Sequence, residues 1–276
     1  MAAVEHEPAP GGRPVAASPL SGEPARAEVL RREVLLVLGL SLGAAAITAA
    51  VSFLGSLTNG TALVQQTATL VAEPAPGRPL LSLLELVVDM ALTLVPVALV
   101  IHLLHRGGEG LRTIGFDARR PGYDGLTGAG LAAVIGGGGL ALYLGARAAG
   151  VNLTVVPVSL PATWWRIPVL VLAAAQNGVL EEVIVVGYLL HRLRQLGWGD
   201  SRALAASAFL RGCYHLYQGL GGFAGNVVMG LIFGRIYQRY GRTTPLVVAH
   251  TLIDAVAFVG YVALVGRVSW LPAPRS

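Results

Sequence analysis

Glu181 and Glu182 stand side by side in QNGVLEEVIVVGYLLHRL, His215 follows in RGCYHLYQG, and His250 and Asp254 lie four residues apart in VVAHTLIDAV. All five are ionisable, and all five fall in runs that are otherwise apolar. A charge at the centre of a bilayer costs roughly 2.5–3.5 kcal/mol on insertion scales, so such residues face a bundle interior and serve a function. Three acids and two imidazoles on three successive helices form a set able to activate water. Adjacent helical residues diverge by about 100°, so the two glutamates are expected to differ in role, one as general base and one as its orienting partner.

Each motif also has a plainer reading. The glutamate pair could mark a helix end at the headgroups, although Val183 to Leu190 continue the apolar run beyond it. Arg211 and His215 are four apart and share a helix face, which calls for an acidic partner such as Glu181 or Glu182. In the third motif Asp254 could fix the tautomer of His250, or both could reach one ion or oxyanion from the same side. A polar pair that merely joins two membrane helices, worth about 1 kcal/mol, is the simpler alternative. If a divalent metal such as zinc is bound, Glu181, His215, His250 and Asp254 are the donors, with water in an open position. The H-E-x-x-H spacing of the common zinc proteases is absent, as are a Gly-rich phosphate loop and a Ser nucleophile elbow.

The elements that must position these residues are membrane helices. The chain has 276 residues, of which only 13% are charged, about half the usual share for a soluble protein. Apolar runs near the 20 residues needed to cross the hydrocarbon core occupy 34–57, 80–104, 126–146, 167–190, 203–219 and 245–266. A shorter Gly-rich run at 223–238 counts as a seventh crossing. The fold class is therefore an all-α, polytopic transmembrane helix bundle of about seven helices. Every basic residue is arginine, and seven crossings put fourteen on the N-terminal side and five on the other, with Arg211 left in the membrane. That asymmetry favours a multi-pass cell-membrane protein with a cytoplasmic N-terminus and the C-terminus outside. The pI of 9.8 does not imply nucleic acid, because no basic stripe with interleaved aromatics exists. Residues 1–30 read as a disordered tail, 31–160 as N-terminal membrane helices and a loop near the headgroups at 105–125, and 161–270 as the core that carries the chemistry. The one cysteine, Cys213, excludes an internal disulfide and reads as a packed thiol.

The order E-E-x-x-x-x-G (Glu181 to Gly187), His-LYQG (His215 to Gly219) and H-x-x-x-D (His250 to Asp254) resembles the CPBP intramembrane protease family, which contains the CAAX prenyl endopeptidases and the bacteriocin-processing or Abi-type proteins. The resemblance covers roughly residues 165–266. It implies an intramembrane endopeptidase acting on a peptide or membrane-protein substrate, in which Glu181 and His215 activate water, His250 and Asp254 stabilise the oxyanion, and Glu182 supports. It implies a glutamate-dependent mechanism without metal, in a family once described as metalloproteases. Two positions depart from the family pattern: Val186 stands where an arginine is usual, and Arg211 where a phenylalanine is usual. Read together they are one exchange, in which the guanidinium has moved to the neighbouring helix and still faces the carboxylates. Outside this class, the same buried acids could serve a non-catalytic membrane scaffold, an immunity protein or an ion-coupled transporter. Two related halves with discontinuous helices, common in transporters, are not visible.

Overall fold

The computed structural model describes residues 24–269, 271 and 272. Its helices are α1 (Pro24–Gly39), α2 (Leu42–Thr58), α3 (Pro79–Thr93), α4 (Val95–Arg106), α5 (Pro121–Ala148), α6 (Arg166–Glu181), α7 (Leu189–Gln195), α8 (Asp200–Tyr214), α9 (Leu220–Tyr240) and α10 (Thr244–Leu264). A π-helical stretch, Glu182–Tyr188, joins α6 to α7 without a break. The expected tail lies outside the described residues as far as residue 23, but residues 24–30 are the first turns of α1 rather than tail.

The chain is a multi-pass helical bundle. Among the described residues, five stretches can cross a membrane by length and composition: Pro79–Arg106, Pro121–Ala148, Arg166–Gln195, Leu220–Tyr240 and Thr244–Leu264. A sixth arises if α1 and α2, bent by 48° at their junction, form one span. The expected count of seven is not recovered. The run at 203–219 is the one left unconfirmed: α8 has 15 residues, or about 22 Å of rise, and contains Asp200, Arg202 and Arg211. The Gly-rich run counted last is a full span of 21 residues, α9. α8 lies beside α9 with one end at Gln238, whose amide donates to the Asp200 carbonyl, and a short 3₁₀ turn, Leu216–Gln218, carries the chain on from its other end.

Two strands were not foreseen. β1 (Thr67–Ala72) and β2 (Thr154–Ser159) pair in parallel, with Thr67 opposite Thr154 and Ala72 opposite Ser159. They come from the links α2–α3 and α5–α6, which meet at the same end of the bundle. Such a pair has little stability alone. Here Val156 and Val158 are buried against Trp165, Val169, Phe258 and Tyr261, so helix ends supply the missing layer.

At the opposite end the link between α4 and α5 is packed against the bundle. Ile114 is fully buried in the main core, and the Gly115 carbonyl accepts from Thr243 and Thr244. Gly115 has φ +68°, and a Cβ there would collide with the 241–242 backbone, so this close approach requires glycine. Ion pairs fasten the same region. Arg242 binds Asp124 at 2.6 Å and Asp117 at 3.1 Å, and Glu109 accepts from His191 at 2.6 Å, from Gln195 at 2.8 Å and from Arg192. Arg192 and Arg242 are therefore structural cations.

Burial alone would push the Glu109 carboxyl up, but the hydrogen bond and charge of His191 and the charge of Arg192 outweigh it and bring it from 4.5 to about 2. A folded value below the unfolded one contributes stability that is complete above about 4.5 and is lost as pH falls toward 2. Thermal unfolding in nanodiscs should show Glu109→Gln below the wild type by a constant margin at neutral pH, and that margin should vanish across this acid window.

Candidate active site

The three motifs meet at one wall of a cavity of about 680 Å³, lined among others by Glu181, Tyr214, His215, His250 and Asp254. Close approach of α6 and α10 brings the first and third motifs together. It depends on Gly178, where a Cβ would lie 2.6 Å from Thr251 Oγ1 and 3.0 Å from the Val247 carbonyl oxygen. Gly230 does the same for α8 and α9, since its Cβ would be 2.9 Å from Ala208 Cα.

Arg211 lies behind the cavity wall and is fully buried. Its Nη2 is paired with Glu182 Oε1 and lies 3.4 Å from Glu181 Oε2, so one guanidinium nitrogen serves both carboxylates. The divergence of neighbouring helical residues is resolved by depth. Glu182 points inward, has no exposed surface and does not line the cavity; Glu181, 8% exposed, does. The π-helical stretch begins at Glu182, and such stretches recur at functional sites because they re-aim side chains within a continuous helix.

The two oxygens of Glu181 differ in their surroundings. Oε2 accepts from the Tyr214 hydroxyl at 2.8 Å and faces Arg211. Oε1 has no hydrogen-bond donor among the described residues and lies 3.9 Å from His215 Nε2. His215 Nδ1 is 3.0 Å from the Arg211 carbonyl, which can only accept, so Nδ1 carries the proton and, in the neutral form, Nε2 presents its lone pair. Two acceptors thus face each other across the cavity wall.

His250 donates from Nδ1 to Glu182 Oε1 at 2.7 Å. Its tautomer is therefore set by Glu182, not by Asp254, which lies 3.9 Å from Nε2, beyond hydrogen-bond reach. Asp254 instead accepts from Asn177 Nδ2 at 3.0 Å. Tyr214 and Asn177 escaped the sequence reading. Their signal was present: Tyr214 completes an i, i+3, i+4 stripe with Arg211 and His215, and Asn177 is one helical turn before Glu181.

Both glutamates are already engaged by Arg211, Glu182 is also bound by His250, and among the described residues no three His, Cys, Asp or Glu side chains converge as ligands.

Residues 163–256 match the family described as type II CAAX prenyl endopeptidase Rce1-like. This stretch is of the CPBP/CAAX protease family. The match covers about a third of the chain, from just before α6 into α10, contains all three motifs and supports a CAAX-type protease in general terms. No curated protein and no solved structure matches the chain.

Removing Arg211 would leave two carboxylates uncompensated inside the bundle, a loss of roughly 3–5 kcal/mol for a broken buried pair. Arg211→Ala should sharply lower the thermal unfolding temperature in nanodiscs. Adding Val186→Arg should recover much of it; no recovery would refute the exchange of one arginine between helices.

Proposed function

We propose that the protein is an intramembrane endopeptidase in which Glu181 and His215 activate water for attack on a peptide bond. The observation that carries this reading is the pair of acceptors, Glu181 Oε1 and His215 Nε2, 3.9 Å apart on the cavity wall. One water can bridge that separation with ordinary hydrogen bonds of about 2.8 Å. Because both groups accept, the water donates to both and turns its lone pairs toward the cavity. As the oxygen bonds to the scissile carbonyl carbon, its proton passes to the Glu181–His215 pair and is then delivered to the leaving amine. Tyr214 and Arg211 keep Glu181 Oε2 occupied, so the opposite oxygen faces the reaction.

The oxyanion falls to His250 and Asp254. His250 Nδ1–H is committed to Glu182, so donation from Nε2 requires the imidazolium form. An ionised Asp254 would repel an oxyanion, so its role runs through its neighbours His250 and Asn177. A donor aimed at a developing oxyanion is worth about 2.7–4 kcal/mol. Glu182 is a positioning residue that holds Arg211 and His250.

The substrate is a peptide or a membrane-embedded protein segment. The start of α1 and the arginine-bearing links at 107–120 and 241–243 lie, in this reading, on the cytoplasmic side of the cell membrane, with the paired strands on the other.

Comparing membrane proteomes of a deletion strain carrying wild type or Glu181→Gln should reveal a new peptide end only with wild type. With that substrate purified, Glu181→Gln and His215→Ala should each lower kcat at least about 100-fold, the scale of a lost general base. Wild-type activity should survive exhaustive chelation, whereas loss restored by added zinc would establish a metal mechanism.

A further inference from the structure

Glu85 and Asp89 fall in the middle of PLLSLLELVVDMALTLVPVALV and are the only acids in the Pro79–Arg106 span. They are four residues apart and therefore lie on one face of α3. Both line the cavity that ends at Glu181, and both are exposed. Neither carboxylate has a hydrogen-bonding or ionic partner among the described residues. A pair of carboxylates without a cation is costly in a membrane span, so these two side chains need water and a positive group that comes from outside the fold.

A second observation at the same cavity points to an occupant. Glu181 is nine-tenths buried, yet its Oε1 is turned to the cavity with no hydrogen-bond donor. Among the described residues the remaining charge-bearing wall groups are Asp254, His215 and His250, and no arginine lines the cavity, since Arg211 stands behind Glu181. The wall nearest α3 is therefore acidic and uncompensated, while apolar residues such as Leu70, Leu86 and Phe258 make up much of the remainder.

We infer that Glu85 and Asp89 select a substrate segment that is mostly apolar and carries one basic side chain, which seats against α3 while the backbone reaches Glu181. This rests on the proteolytic reading and adds the chemical class of the substrate to it. The two carboxylates act by charge attraction and do not take part in bond cleavage.

The test separates binding from hydrolysis. The Glu181→Gln protein is placed in phosphatidylcholine nanodiscs, which carry no net lipid charge. Three short dansyl-labelled Leu/Ala peptides, identical except for a central Arg, Leu or Glu, are titrated against it. The Arg peptide should bind about ten-fold more tightly than the Leu peptide, as expected for attraction between partly desolvated charges, with the Glu peptide weakest. In the same background Glu85→Gln with Asp89→Gln should bring the Arg-to-Leu ratio close to one. Asp89→Asn alone should lower it part-way. Neither exposed carboxylate holds a packed contact, and an unchanged circular dichroism spectrum verifies that these variants fold. Equal affinities, a ratio that persists in the double variant, or no binding of any peptide would overturn the inference. Cleavage is read separately with Glu181 present. Selective binding with no hydrolysis counts against the endopeptidase reading alone, whereas hydrolysis with no preference for Arg counts against the acidic wall alone.

Discussion

A guanidinium buried between two neighbouring carboxylates is the interaction on which this bundle's chemistry depends. Glu181 and Glu182 are adjacent in an apolar helix, and without Arg211 their charges would oppose each other and the burial of either. With Arg211 in place one acid can be sunk completely while the other remains at a cavity wall. The asymmetry then propagates: Glu182 sets the tautomer of His250, and the carbonyl of Arg211 sets that of His215. One arginine thus connects all three motifs.

The packing around it is arranged to permit close approach. Gly178 and Gly230 remove side chains where α6 meets α10 and where α8 meets α9, which brings groups 68 positions apart in sequence to within 2.7 Å. Far from the cavity, Glu109 with His191 and Arg192, and Arg242 with Asp117 and Asp124, hold helix ends that would otherwise slide. These ion pairs give the spans fixed heights, and a water-activating pair separated by 3.9 Å requires such fixity.

Much of this was legible in the chain. The apolar runs disclosed a membrane bundle, and the misplaced charges disclosed which helices face inward, because lipid tolerates few exceptions. The i, i+4 spacing of Arg211 and His215 carried the guanidinium to the correct neighbourhood. What remained hidden were partnerships set by tertiary contact. Glu182, not Asp254, orients His250, since helix spacing says which residues share a face but not which neighbouring helix comes closer. α8, with 15 residues and three charges, is too short to be recognised as a span by length and composition, and α9 was undervalued because its glycines lower apparent hydropathy while serving contact. β1 and β2 were invisible: six-residue strands in links have no period long enough to recognise, and their stability comes from Trp165 and Phe258.

The π-helical stretch from Glu182 to Tyr188 has a bearing on how related chains are aligned and drawn. Wider turns there rotate everything that follows by about one residue, roughly 100°, relative to an ideal wheel. A helical projection begun at Arg166 therefore loses its phase at Glu182 and cannot be carried through to α7. Any comparison of this segment across homologues needs its phase reset at Leu189.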